Sequence, residues 1–392
     1  MFKYRFKNRA AQRAAALVLG LSFMVAGLTG CGKDDAATTA ANATQAATTA
    51  TTEPATQAPP KDLNVTESSM IDNPTGVMLV KEGMVRNPNT GLWIDEKYAN
   101  LRPISAQYCN VPQALPVYGL SFADIIYEMV TEARTTRLMP IFTEYDKVEK
   151  FEALRSTRHY FNRKTVEYDT IHLFCGASDY ANNNDLYGGH YPYLSFVDLI
   201  RDPGLHRDDS RIAPYNAYTT PEEVIKQAEK KGYSITHQSF YEPNHRFRDD
   251  FKALDAGESA MKISVPYFKK NLPWFEYNAE TQKYDRFQFD GKMIDGQTGE
   301  QLSVTNILVQ YVVIKDLAGY ESAGSQDIDW TGSGQGYYCT GGKRIPVTWR
   351  YNNYSTKWYD ADGNEISMNP GKTWVVVAPK TYGDGYDGVE YE

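Results

Sequence analysis

Arg137, Arg155, Ser156 and Arg158 are the side chains of this 392-residue chain whose types and spacing come nearest to a chemistry. Arg155 and Arg158 stand three apart at the start of a predicted helix, so both can face one direction. A guanidinium fork binds a carboxylate or phosphate through parallel N–H donors, and a helix start adds free backbone N–H groups. With the Ser156 hydroxyl, the three arginines would form a ligand-binding site for a phosphate, a carboxylate or an anionic wall polymer. The competing reading is structural. The same arginines can pair with Asp124, Glu128, Glu132 or Asp169 and so lock a hairpin to a helix.

Other residues of catalytic type assemble less well. His172 falls mid-strand beside Phe174 and reads as a hydrogen-bonded core histidine. His206 lies near Asp208, Asp209 and Arg211 in a polar loop, and no Gly-x-Ser-x-Gly elbow accompanies it. Gly371-Lys372-Thr373 imitates the end of a P-loop, but Ile366 occupies the first glycine position. Asp360, Asp362 and Asn364 imitate a calcium loop, but Glu365 stands where glycine is needed, and Asp362-Gly363 reads as a hairpin turn. Asp179, Asn182, Asn184 and Asp185 form an oxygen-rich stretch that reads as a solvated loop. No metal and no cofactor are expected.

The elements that would position the arginines are legible in outline. Ile104 to Cys109 reads as a strand, and Ser121 with Asp124 as a capping box opening a short helix. Met129 to Tyr145 holds two apolar runs around Arg134-Thr135, the pattern of a β-hairpin. Ser156 is placed to cap a helix reaching about Tyr168, and Thr170 to Cys175 follows as a buried strand. The clearest helix begins at Thr220-Pro221-Glu222-Glu223 and ends at Lys230-Lys231-Gly232, with acids in its first turn and bases in its last. Beyond a boundary between Phe247 and Met261 the chain is β-rich. Strands are expected at Met261–Tyr267, Trp274–Tyr277, Tyr284–Phe289, Ile307–Ile314, Gly336–Thr340, Ile345–Arg350, Thr356–Tyr359 and Trp374–Ala378, with turns at Asp290-Gly291 and Gly341-Gly342. The many Tyr and Trp side chains there could stack on sugars or fill a β core.

Compartment is written at the N-terminus. Lys3, Arg5, Lys7, Arg9 and Arg13 precede an apolar run, Ala14 to Met24, that is short for a bilayer span. Leu28-Thr29-Gly30-Cys31 then has the small residues and the cysteine of a bacterial lipoprotein signal. Residues 1–30 are expected to be removed and Cys31 to carry the lipid that holds the protein on the outer face of the cell membrane. Residues 31–85 are rich in Ala and Thr and carry Pro54, Pro59 and Pro60; this composition cannot bury enough apolar surface to order itself and reads as a tether. Residues 86–250 and 255–382 are the expected N-terminal α/β and C-terminal β-rich domains. The whole chain carries −8, and loss of the five signal-region cations leaves −13. A body this acidic disfavours nucleic acid as a partner. Cys109, Cys175 and Cys339 are odd in number; one Cys109–Cys175 disulfide or three buried thiols both fit.

The chain resembles the YerB-like lipoproteins of Gram-positive bacteria, a family of uncharacterised function with two conserved domains. The resemblance runs from about Asn87 to Lys380. It rests on Asn87-Pro88-Asn89-Thr90-Gly91-Leu92, Arg102-Pro103, Gly119-Leu120-Ser121, Ala123-Asp124-Ile125-Ile126-Tyr127-Glu128, Thr136-Arg137, Arg155-Ser156 with Arg158, Tyr168-Asp169 and Ala213-Pro214-Tyr215-Asn216. In the second half it rests on Val309-Gln310-Tyr311, Gly332-Ser333-Gly334-Gln335-Gly336-Tyr337-Tyr338 and Asn369-Pro370-Gly371-Lys372-Thr373-Trp374. It implies an α+β fold, with layered sheets and helices in the N-terminal domain and a β-rich C-terminal domain. It supplies no catalytic residues. The chain departs from the family pattern at Ala133-Arg134, where a glycine pair is usual, at His159, where proline is usual, and at Tyr215, where histidine is frequent. Two functions follow. One is an extracytoplasmic lipoprotein that binds an anionic small molecule, an envelope glycan or a partner protein. The other is a hydrolase or transferase acting on envelope polymers.

Overall fold

A hairpin and one inserted strand explain the architecture. Strand Ile125–Thr131 pairs antiparallel with Thr135–Phe142, from Ile125 opposite Ile141 to Thr131 opposite Thr135. On its other side it pairs parallel with Thr373–Pro379, Ile126 opposite Trp374, and that strand is in turn parallel to Asn306–Asp316. One thirteen-stranded sheet therefore runs through both halves of the chain. Its path is Ser195–Asp198, Ile171–Phe174, Ile104–Ala106, Thr135–Phe142, Ile125–Thr131, Thr373–Pro379, Asn306–Asp316, Ser333–Thr340, Lys343–Asn352 and Glu258–Ser259. Such central strands, covered on both faces, read as unbroken apolar runs, which is why Val375, Val376 and Val377 are all fully buried.

The computed structural model describes residues 70–72, 80–132, 135–267, 272–289, 291–380 and 388–392. The expected signal segment, Cys31, most of the expected tether, Ala133, Arg134 and Asp290 lie outside them. Within the tether's range 31–85, Ile71–Asp72 pairs parallel with Arg246–Arg248, and Met84–Arg86, which begins there, pairs antiparallel with Trp93–Asp95. Among the described residues no helix is long and apolar enough to cross a membrane. The fold is α+β. Helix His159–Glu167 lies after the hairpin, and helix Pro221–Lys230 has the full capping box of Thr220 and Glu223. A second sheet of six short strands, centred on Lys283–Gln288, follows in the C-terminal half.

Two helix starts differ from expectation. Ser121 and Asp124 open no helix: Leu120–Phe122 is a single 3-10 turn and a strand follows at once. The buried Asp124 carboxylate instead accepts from Asn87 Nδ2 at 2.9 Å and from the Thr143 backbone N–H at 2.8 Å. Ser156 does not cap the first helix either. Arg158 is the N-cap residue, with no side-chain cap, and the Ser156 hydroxyl donates to the Cys175 carbonyl at 3.2 Å. The side chain that was to cap the helix ties the helix entry to the neighbouring strand end.

The β-rich half follows its turn chemistry. Gly341 (φ +62°) and Gly342 (φ +75°) make the left-handed pair that a two-residue hairpin needs. The next hairpin uses Asn353 (φ +46°) and Tyr354 (φ +59°) for the same bend. An aromatic side chain in that backbone region is strained, and strain of this kind gathers at functional sites.

Candidate functional site

Arg137 and Arg158 meet at the Ser156 carbonyl, and Arg155 turns to the Tyr215 ring. Arg158 grips Glu132 with two prongs, Nε to Oε1 and Nη2 to Oε2, both 2.7 Å. Burial would raise the Glu132 carboxyl, but the Arg158 fork outweighs it and holds the group below its ordinary value. Arg158 Nη1 also donates to the Thr157 carbonyl at 2.8 Å. Arg137 donates to the Ser156 carbonyl, and burial, then the Arg158 charge, push its guanidinium down to about 10. Arg155 is half-buried with its guanidinium 5.7 Å from the Tyr215 ring centroid, and its Nε is buried with no hydrogen-bond partner.

The histidines resolve cleanly. His172 is fully buried between Ser105 Oγ (2.9 Å) and Thr157 Oγ1 (3.1 Å), and burial pushes its imidazole down to about 3. His206 pairs with Glu223 at 2.9 Å, not with the acids of its own loop. Cys109, Cys175 and Cys339 are free thiols. Lys372 donates to the Ser121 carbonyl, and the Asp360 carboxylate accepts from the backbone N–H groups of Asp362 and Asn364, so both near-motifs are structural. Asp185 faces inward and accepts from Asn162 at 2.8 Å. Among the described residues, no three His, Cys, Asp or Glu side chains cluster as a metal site.

A larger feature was not foreseen. Helix His159–Glu167 faces strands Gln326–Asp329 and Lys343–Asn352 and the tip Asn353-Tyr354 across a cleft of about 750 Å³. Tyr180, Tyr191, Trp330, Tyr351 and Tyr354 wall it. His159 sits at its helix end, 2.9 Å from Asp327 Oδ1 and 4.7 Å from the Tyr180 ring centroid. The His159 hydrogen bond is the largest reason that the Asp327 carboxyl is held below its ordinary range. Asp329 accepts from Thr331 at 2.8 Å, so local donors hold both acids. The Arg163 guanidinium stacks 4.1 Å from the Tyr351 ring centroid.

The helix is bolted to the strands beneath this cleft. Lys164 is fully buried; its Nζ donates to Glu167 at 2.8 Å and to Thr356 Oγ1 at 3.0 Å, and lies 4.1 Å from the Trp330 ring centroid. Thr356 in turn donates to the other Glu167 oxygen at 2.7 Å. A buried, hydrogen-bonded ion pair of this kind fixes one geometry, because every displaced arrangement leaves a charge unpaired. A second cleft of about 590 Å³ continues past the hairpin tip; Tyr193, Phe240 and Tyr354 stand in it, with Glu167, Arg350 and Lys357. The sequence signal for the pair of clefts was only the abundance of tyrosine, since their walls come from segments nearly 200 residues apart.

A protein whose two halves share one sheet, with an aromatic cleft beside the first helix, is the class this geometry defines. Residues 89–234 match the model of the N-terminal domain of a protein of unknown function (DUF3048), and residues 263–375 match that of its C-terminal domain. The chain belongs to this family. It is similar to the Bacillus subtilis (strain 168) protein YerB, which carries a lipoprotein name: 29% identity over 303 residues, covering 75% of this chain and 86% of that one. It is also similar to the crystal structure of the YerB protein from Bacillus subtilis, with TM-score 0.66 and 27% identity over 75% of this chain and 96% of that one.

Proposed function

We propose that this chain is an extracytoplasmic lipoprotein, held to the membrane through lipid on Cys31, that binds an envelope glycan. The observation that carries the ligand reading is the cleft of about 750 Å³, with the half-buried rings of Tyr180, Tyr191, Tyr351 and Tyr354 in its walls and fixed polar groups between them. A pocket of that size suits a small-molecule ligand, and flat rings beside ordered hydrogen-bonding groups fit the alternating apolar and hydroxyl faces of a sugar. The family relationship and the lipoprotein name of the Bacillus relative support the envelope setting. The engaged state of Asp327 and Asp329 favours binding over hydrolysis. The test is titration calorimetry of the full chain in detergent micelles with sugar strands released from a Gram-positive wall. Saturable binding that Tyr351→Ala weakens is the expected result; no heat of binding at millimolar strand concentration overturns the reading.

One observation favours a second ligand class. Arg155 Nε is a buried donor without an acceptor, one residue along the chain from the Ser156 carbonyl where Arg137 and Arg158 meet. An anion docked there would complete it. Phosphate or glucuronate is then expected to raise the melting midpoint, and Arg155→Ala with Arg158→Ala to abolish the rise. A wild-type midpoint that ignores both anions removes this site.

A further inference from the structure

The two clefts share Asn353 and Tyr354. These two residues are the tip of the hairpin joining strands Lys343–Asn352 and Ser355–Tyr359, and their left-handed backbone aims the tip between the clefts. Tyr354 packs by its edge on Tyr193 at 5.8 Å, and Tyr193 lies against Phe240 at 4.3 Å. Tyr193 keeps 40% of its surface exposed although it sits in this cluster. An aromatic platform thus continues from the walls of the larger cleft, across the hairpin tip, into the smaller one. Each cleft alone has the volume of a single small-molecule site, roughly 300–1,000 Å³. Joined end to end they exceed what one small molecule fills.

The charges along the walls are largely matched. His159 and Lys315 face Asp327, at 2.9 and 3.6 Å. Lys164 neutralises Glu167, and Lys357 lies 3.7 Å from Glu365 while donating to the Pro243 carbonyl at 2.6 Å. The chain as a whole is net acidic. Arg163 and Arg350 line one cleft each and lie over the Tyr351 and Tyr359 rings, at 4.1 and 4.2 Å, instead of against carboxylates. One such cation per cleft is no continuous track, and a long polyanion would meet repulsion from the acidic body.

We propose that the two clefts are subsites of one groove for an extended, uncharged glycan chain, with Tyr354 as the platform shared between them. The inference rests on the glycan reading of the larger cleft and adds the length and charge of the ligand. Sugar units on either side of Tyr354 would bind as linked ligands, so the second subsite adds affinity without a second loss of free translation.

The experiment compares chitobiose with chitohexaose, both uncharged, in calorimetric titrations of the full chain in micelles. Chitohexaose is expected to bind roughly tenfold or more tightly, the range that one added stacking contact supplies. Tyr354→Asn keeps a residue suited to the left-handed turn and removes the ring, so the long-to-short ratio is expected to fall towards one. Tyr354→Phe keeps the ring and should keep the ratio. Wild-type affinities within twofold of each other, with both sugars binding, overturn the extended groove and leave the glycan site standing. A long-to-short ratio that survives Tyr354→Asn in a protein of unchanged melting midpoint overturns it as well. Binding of neither sugar, or tighter binding of polyglucuronate than of chitohexaose, rejects an uncharged glycan as the ligand.

Discussion

Glu128 and Arg286 meet at 2.8 Å in the core, one from the hairpin of the first half and the other from the small sheet of the second. Both side chains are at most 1% exposed. Glu128 also accepts from Thr136 Oγ1 at 2.9 Å and from Trp374 Nε1 at 3.2 Å, while the Arg286 guanidinium lies over the Phe275 and Trp374 rings. Removing one partner of a buried pair leaves an uncompensated charge, at a cost of about 3–5 kcal/mol. Glu128→Gln and Arg286→Met are each expected to lower unfolding free energy by that order in urea titrations. The double variant should lose clearly less than the sum of the two. Additive losses would mean that the halves are not coupled through this pair.

The glycines of Gly334-Gln335-Gly336 have a packing reason. A Cβ on Gly336 would stand 2.3 Å from the Val309 carbonyl oxygen, and one on Gly334 2.6 Å from the Trp349 ring. Neither position can accept even a methyl group without moving a strand or a buried indole. Gly336→Ala is expected to cost about 1–3 kcal/mol, the usual range for overpacking. Gly291, whose Cβ would meet nothing within 4 Å, is the comparison: Gly291→Ala should stay within about 0.5 kcal/mol. Equal effects of the two alanines on the melting midpoint would refute the steric account.

Much of the fold was legible because its signals are local. Thr220 and Glu223 announce a helix start on their own, and Gly341-Gly342 announces a hairpin. The expected strand Gly336–Thr340 grows to Ser333–Thr340 and Ile345–Arg350 to Lys343–Asn352, since pairing carries a strand to the turn itself. The Ser121–Asp124 helix misled because a capping box and a tertiary hydrogen-bonding carboxylate have the same spelling. Asn87 and Thr143, which claim Asp124, are far away in sequence.

The candidate site was legible only in part for the same reason. Arg137 and Arg158 both reach the Ser156 carbonyl while Arg155 turns to Tyr215, and Glu132, one of the four acids named as a partner, holds Arg158. Nothing in the sequence says that His159 will face Asp327, or that Tyr354 will stand between two clefts. Those are contacts across 168 residues and a strained turn whose usual spelling, a glycine after asparagine, is missing.

The proposed lipid on Cys31 and the acidic body make separable claims about the membrane. If the acyl chains alone hold the protein, at about 0.8 kcal/mol per buried CH₂, Cys31→Ser should release it from the membrane fraction while its melting midpoint stays unchanged. A variant that stays with the membrane through a salt wash and an alkaline carbonate wash would show an uncleaved apolar segment acting as the anchor.

Asp124 predicts a pH dependence of opposite sign to the common one. Burial raises its carboxyl to about 6, against the lowering effect of the Thr143 N–H. The ordinary value is 3.8, so between the two values the folded protein holds a proton that the unfolded chain has released. Stability from this group is therefore greatest below the lower value and falls as pH rises through about 6; the full swing is on the order of 3 kcal/mol. Asp124→Asn cannot ionise. Its unfolding free energy should vary less between pH 4 and pH 6.5 than that of the wild type, whatever the absolute cost of the substitution. Parallel curves for the two proteins over that window would show that Asp124 does not titrate there.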